Sequence, residues 1–392
     1  MGATSRQVAE RAARHGRLAI DTEFVSERRY QAQLCLVQVA VPDPEGAGGV
    51  RTEVLDPLDE DRALDVEPLA AVLADPGVEV VVHAGRQDVA ILRRTWDTEI
   101  TGIFDTQVAA GFLGYGNQEG YEALVRRVLG EKLRGGEGYT RWDKRPLTPK
   151  QIDYAADDAR CLLALGEEIE RRLRERGRLE WALEECRLVE DSRDERSPEQ
   201  AYGRLPRLGR LDARGRAVAW RLCEWRDRVA REMDRPPPFV MPDQVLIELA
   251  RRRPQDRATL ENIRGLPQPT LHRRGAELLD QIAAGQGDDP PPPAPEGPRR
   301  DAADAPLVSL AQALVRQRSL DSEVATELIA TQSELAELVT SVRRGGDGGD
   351  VRVLGGWRRQ LVGSELQELI EGRSAVSVEP GGGLSVVPRR GG

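Results

Sequence analysis

The chain has 392 residues, 39% of them hydrophobic and 31% charged, with a formal net charge of −9. That length allows two or three domains with ordinary cores, and no run approaches the ~18 apolar residues of a membrane span. Cys35, Cys161, Cys186 and Cys223 form no CxxC pair and no zinc-type spacing, so they read as buried free thiols in a reducing compartment.

In chain order, apolar strands are expected at 17–21, 33–41, 50–55 and 78–82, and helices at 66–74, 88–95, 105–112, 121–129 and 149–176. Three strands in close succession suggest an antiparallel meander, after which strands alternate with helices. The Arg/Glu-rich stretch 166–196 reads as a solvated helix and spacer, which closes a first domain over 1–200. Residues 201–285 read as all-helical, with a long amphipathic helix stopped by Pro236–Pro238. Proline, glycine and aspartate dominate 286–305, a linker with nothing to bury. Helical patterns return over 306–373, and 374–392 reads as a disordered tail. No secretory h-region or cleavage site opens the sequence, so a cytoplasmic location is expected.

Charge is uneven along this plan. Residues 1–200 carry 28 Lys+Arg against 39 Asp+Glu, 201–285 carry 17 against 11, and 286–392 carry 12 against 16. Only the middle segment has the positive balance expected of phosphate binding. Lys occurs three times in the chain, so the basic residues are almost all Arg.

Three short segments hold the chemistry. In LAIDTEF the apolar run ends in Asp21 and Glu23, two apart and therefore on one face of a strand. Asp88 falls near a helix start in VVVHAGRQDVAIL. Tyr154 and Asp158 are four apart in QIDYAADDARCLL and share a helix face; Thr148 is the expected N-cap, with Pro149 in the first turn. Hard divalent cations take carboxylate oxygens, and four acids converging on one spot would repel each other without cations. The set makes most sense as a site for two Mg²⁺ or Mn²⁺ ions.

With DTEF, HAGRQDVAIL and Tyr154-x-x-x-Asp158 in this order, and IFDTQVAAGFLGYG and RWDKRPLTPKQIDYAADD between and around them, residues 15–175 resemble the ribonuclease D family. Within the DEDD superfamily of 3′→5′ exonucleases this is the tyrosine-bearing subclass. The resemblance implies an α/β ribonuclease H-like exonuclease domain, a mixed sheet with flanking helices. WRDRVAREMDRPPPFVMPDQVLIELARRRP and the LENIRGL that follows look like an HRDC module, and 306–373 looks like a second, diverged one, giving two all-α HRDC-type bundles after the exonuclease. It further implies that Asp21 bridges two metals, Glu23 and Asp158 hold the first, Asp88 reaches the second, and Tyr154 orients the attacking water. The expected partner is RNA with a single-stranded 3′ end, transfer-RNA precursors included, cut to nucleoside 5′-monophosphates by a monomeric enzyme.

Other residues have two readings. Phe24 could wedge against the 3′ nucleotide or simply pack in the core. Trp142, Lys144 and Arg145 could frame the site and touch phosphate, or Trp142 could be buried beneath a surface loop. Arg251, Arg252, Arg253, Arg273 and Arg274 could contact phosphate or line a solvated face. His83 reads as structural and Asp105 as a helix cap. A 3′→5′ DNA exonuclease would use the same metal site. A non-catalytic nucleic-acid binder would be signalled by a missing acid, and all four are present.

Overall fold

The computed structural model describes residues 5–389 apart from 60, 62, 117, 134–139, 195–196, 290–300, 347 and 350. Its first unit is built on a five-stranded sheet ordered β3-β2-β1-β4-β5. β1 (Arg17–Val25), β2 (Gln33–Pro42) and β3 (Val50–Leu55) form the antiparallel meander, while β4 (Glu79–Val82) and β5 (Ile103–Asp105) run parallel to β1. β2 is apolar almost throughout and buried on both faces, as a strand covered on both sides must be.

Helices α1 (Ser5–His15), α2 (Glu67–Leu73) and α3 (Arg86–Trp96) cover one face. Their core includes Val8, Leu69 and Ile91 with the strand residues Leu18, Ile20, Val37 and Val39. After the short α4 (Thr106–Ala110) and α5 (Tyr121–Val128), the other face is covered by α6 (Pro149–Arg160) and α7 (Leu162–Glu175), followed by α8 (Leu179–Glu190). Thr148 caps α6 in a reciprocal capping box with Gln151, which satisfies two of its first unpaired N–H groups.

Two expectations fail here. The helix foreseen over 149–176 is broken at Cys161 into α6 and α7. The stretch 166–196 is no solvated spacer: Ile169, Leu173, Ala182, Cys186 and Val189 are all fully buried, so α7 and α8 belong to the core of the first unit, and most of their charges lie on the outer faces. β5, three residues long, and α1 had no counterpart in the sequence reading.

The second unit contains α9 (Pro198–Gly203), α10 (Ala213–Glu232), α11 (Pro237–Val240), α12 (Asp243–Arg252), α13 (Arg257–Glu261) and α14 (Gln268–Gly285). It has a core of its own, centred on Leu222, Val229, Leu249 and Ile282. It meets the first unit at the loop after β1. Arg29 pairs with Asp234 at 3.0 Å, the Tyr30 hydroxyl donates to Asp227 at 2.7 Å, and Arg235 donates to the Arg28 carbonyl at 3.1 Å.

The third unit contains α15 (Ala305–Ser322), α16 (Thr326–Ile329), α17 (Gln332–Arg343), and α18 (Gly356–Arg358) joined through a π turn (Arg359–Gly363) to α19 (Ser364–Ile370). Its apolar side chains share one continuous core with the first unit, in which Phe112, Leu165 and Ile169 join Leu314, Trp357 and Leu366. Of the linker expected over 286–305, residues 290–300 lie outside the described residues, and Ala302–Asp304 already form a 3₁₀ turn. The disordered tail expected over 374–392 is corrected. Ser374–Val378 (β6) and Leu384–Pro388 (β7) pair as an antiparallel hairpin, and Gln317 accepts a hydrogen bond from the Leu384 amide.

Candidate active site

Alternation along β1 puts Asp21 and Glu23 on the face covered by α6, and α6 brings Asp158 over them. One carboxylate oxygen from each of the three lies within 4.8 Å of the others. Among the described residues this is the one group of three or more possible metal ligands.

Asp88 arrives by another route. The chain leaves β4 through Ala84, whose φ is 53°, and Gly85, where an added Cβ would sit 2.6 Å from Val82 Cγ2. This tight, strained turn puts Asp88 in the first turn of α3. Buried Asp105 holds the turn, accepting from the backbone amides of Ala84 at 3.1 Å and Gly85 at 2.9 Å while also capping α4. The Thr22 hydroxyl donates to Asp88, and the Thr22 backbone amide steadies the charge of both Asp21 and Asp88. Thr22 therefore ties the fourth acid to the other three, a role the sequence reading missed.

The electrostatics are those of negative charge confined without compensation. Burial, then repulsion from Asp88, Asp158 and Glu23, raises Asp21 well above the carboxylate range. Glu23 is pushed up to about 8 by burial and by Asp158 and Asp88. Burial lifts Asp88 and Asp158 to about 6 each. An all-oxygen donor set whose acids are all raised by burial and mutual repulsion fits a hard divalent cation, whose charge would relieve that repulsion and favour the ionised carboxylates.

Tyr154 stands one helical turn before Asp158 and hydrogen-bonds its carboxylate; burial and that negative neighbour raise its hydroxyl above the usual phenol range. Below it, Trp142 packs 6.2 Å away, ring centre to ring centre, in a small core with Cys35, Leu36 and Ala155. Behind Asp158, the buried Tyr121 hydroxyl donates to the Asp158 carbonyl at 2.5 Å, and Tyr121 in turn packs against the His83 ring. His83 contacts Thr106 Oγ1 at 2.9 Å and is shifted down by burial, as a structural histidine would be.

Several residues expected to meet substrate are placed elsewhere. Trp142 is only 2% exposed, so it supports Tyr154 from below and offers no face to a nucleotide. Arg145 is spent on structure: its guanidinium pairs with Asp56 and donates to the carbonyls of Cys35 at 2.9 Å and Trp142 at 2.7 Å. Phe24 is half-buried against the core on the opposite face of the sheet from Asp21 and Glu23. Lys144 is exposed in the same loop as Arg145.

In the second unit, Arg251 and Arg252 share Glu248, Arg253 pairs with Asp212, and Arg274 bridges Glu232 and Glu277. Arg273 is exposed with no ion pair among the described residues. The expected patch of five phosphate-binding arginines is thus four arginines already paired with acids and one that is not.

Comparison with known proteins agrees with this geometry. Residues 3–174 match a 3′-5′ exonuclease family model and residues 216–282 match the HRDC domain. Ribonuclease D of Granulibacter bethesdensis is 34% identical over 92% of this chain and 89% of its own length. That of Sphingobium indicum is 34% identical over 96% and 95%. The crystal structure of Escherichia coli RNase D, described as an exoribonuclease involved in structured RNA processing, superposes with a TM-score of 0.80 at 28% identity, covering 94% of this chain and 96% of that one. The chain belongs to the ribonuclease D family and is a 3′→5′ exoribonuclease.

Proposed function

We propose that the enzyme removes nucleoside 5′-monophosphates one at a time from RNA with a single-stranded 3′ end, transfer-RNA precursors among them, at a site for two divalent cations. The observation that carries this reading is the convergence of Asp21, Glu23 and Asp158 oxygens within 4.8 Å, with Asp88 tied to them through Thr22. Bound cations would supply Lewis-acid charge at the scissile phosphate and ease deprotonation of the attacking water.

The chain's own residues arrange the rest. Asp21 would be the shared ligand, Glu23 and Asp158 would hold the first cation, and Asp88 would hold the second. The Tyr154 hydroxyl would orient the attacking water, as in the tyrosine subclass, and Trp142 fixes its ring from below. Lys144 is the basic side chain of the neighbouring loop left to meet a phosphate. The second unit meets the exonuclease at the loop directly after β1, so its positive balance would hold the body of a folded RNA close to the site, with Arg273 as an uncompensated charge.

The third unit would be a second, diverged HRDC module. Supporting this, it opens as the second unit does. A long helix (α10, α15) ends within two residues of a left-handed residue, Asp234 or Glu323, and a four-residue helix (α11, α16) comes next, leading to the third helix of the bundle. We take the enzyme to act as a monomer in the cytoplasm; among the described residues no helix is long and apolar enough to cross a membrane.

The test is a time course on a 3′-extended RNA and its DNA analogue with Mg²⁺, Mn²⁺ or EDTA. Stepwise shortening of the RNA from its 3′ end, abolished by EDTA, is expected. Internal cleavage, or activity indifferent to EDTA, would refute the mechanism, and faster digestion of the DNA would refute the substrate.

A further inference from the structure

Gln38 sits in the middle of β2 with no exposed surface, and neither its amide nitrogen nor its amide oxygen has a hydrogen-bond partner. Each buried polar group left unpaired costs about 1–3 kcal/mol, so an apolar side chain would serve the core better at this position. The sheet register explains what the amide is near. Gln38 is the direct cross-strand partner of Asp21, and directly opposed side chains share a face with Cβ atoms about 4.5–5.5 Å apart. On that face the flanking pairs are Ala19 with Ala40 and Glu23 with Leu36. Helix α6 roofs the same face, presenting the fully buried Ala155 and Ala159 along with Tyr154 and Asp158. The carboxamide is therefore enclosed between the strand that supplies two acids and the helix that supplies the third.

We propose that Gln38 is a positioning residue for the metal site: its amide N–H donates to the Asp21 carboxylate through one buried water and so fixes which oxygen Asp21 turns toward the cations. A carboxylate expected to serve two cations has little tolerance for rotation, and an uncharged donor steadies it without competing for the ligand position. Partners of this kind behind a metal ligand are worth roughly 10–100-fold in metal affinity or activity. The inference rests on the metal reading of Asp21, Glu23 and Asp158.

Two full-length variants test it, Gln38→Met and Gln38→Leu, both apolar and close to glutamine in size. Mn²⁺ binding is measured by calorimetry without RNA, alongside wild type and Asp21→Asn, and thermal melting is recorded in EDTA. We expect both variants to fold, to melt in EDTA no lower than wild type, and to bind Mn²⁺ at least about tenfold more weakly. Mn²⁺ affinity within about twofold of wild type would overturn the proposal. So would a lower melting temperature, or failure to fold, in both variants, because the amide would then be serving the fold. If wild type binds no Mn²⁺, or Asp21→Asn binds it as wild type does, the metal reading itself falls. Normal binding in the Gln38 variants with loss in Asp21→Asn removes the Gln38 inference alone.

Discussion

The exonuclease and the third unit are joined by a buried ion pair that can be tested as a cycle. Arg358 and Glu185 meet at 2.6 Å with side chains 2% and 5% exposed. Arg358 also lies 4.4 Å over the Trp357 ring and donates to the Leu328 carbonyl at 2.8 Å. Glu185 has two further partners, Arg352 at 3.3 Å and the Trp357 indole N–H at 3.4 Å. Removing one member of a buried pair costs about 3–5 kcal/mol, because the other charge stays buried and uncompensated. Arg358→Met should fall at about 3 kcal/mol, since Glu185 keeps Arg352. Glu185→Leu should lie nearer the top of that range, because it strands an arginine that has no other acid among the described residues. The double variant should recover most of the loss, as buried pairs replaced by apolar residues of similar volume are often neutral or better. Urea unfolding followed by tryptophan fluorescence reads this directly, since Trp181 stacks on Trp357 across the same interface with ring centres 5.4 Å apart. One transition is expected, because the two units share a core. Single variants within about 1 kcal/mol of wild type, or a double variant as unstable as the sum of the singles, would refute the reasoning. For the same reason, truncation after residue 300 should expose Phe112 and Trp181 and yield an aggregating protein rather than a trimmed enzyme.

Asp21→Asn should hold turnover below roughly a tenth of wild type in Mg²⁺ while RNA binding persists; single-turnover rates and filter binding check both, and a faster enzyme removes Asp21 from the metal site. Tyr154→Phe should slow the chemical step by about 10²–10⁴-fold with Mn²⁺ affinity intact, and a wild-type rate would make the tyrosine structural. Glu23, Asp88 and Asp158 are shifted upward, so the folded state holds protons that the unfolded chain has released. Stability without cations should therefore be fullest at acid pH and fall as pH rises toward about 8. Cations must displace those protons, so the gain in melting temperature on adding Mg²⁺ should grow from about pH 5.5 to about pH 8.5; a gain that shrinks with pH contradicts the assignment. Arg145→Lys cannot reproduce the planar fork on Asp56 and two carbonyls and should lower melting temperature with little change in RNA affinity; the reverse pattern would restore Arg145 to the substrate.

Local sequence carried much of this enzyme. Period-two and helical spacing placed β1 to β4 and most helices near their observed positions, and they predicted that Asp21 would share a face with Glu23, and Tyr154 with Asp158. Those are properties of a strand and a helix taken singly. What lies between elements was decided by tertiary structure. β5 is too short to show a period and exists because β4 supplies its hydrogen bonds. The charged outer faces of α7 and α8 hid inner faces that close the core. Tail residues 374–388 fold because they pair with each other and lean on α15. Trp142 and Arg145 read as a loop beside the site, yet one is buried under Tyr154 and the other is consumed by Asp56, because ring packing and guanidinium geometry are satisfied by partners distant in sequence. Thr22 and Gln38 were invisible for the same reason: a threonine or glutamine in a strand signals nothing until the helix start and the facing strand put Asp88 and Asp21 beside it.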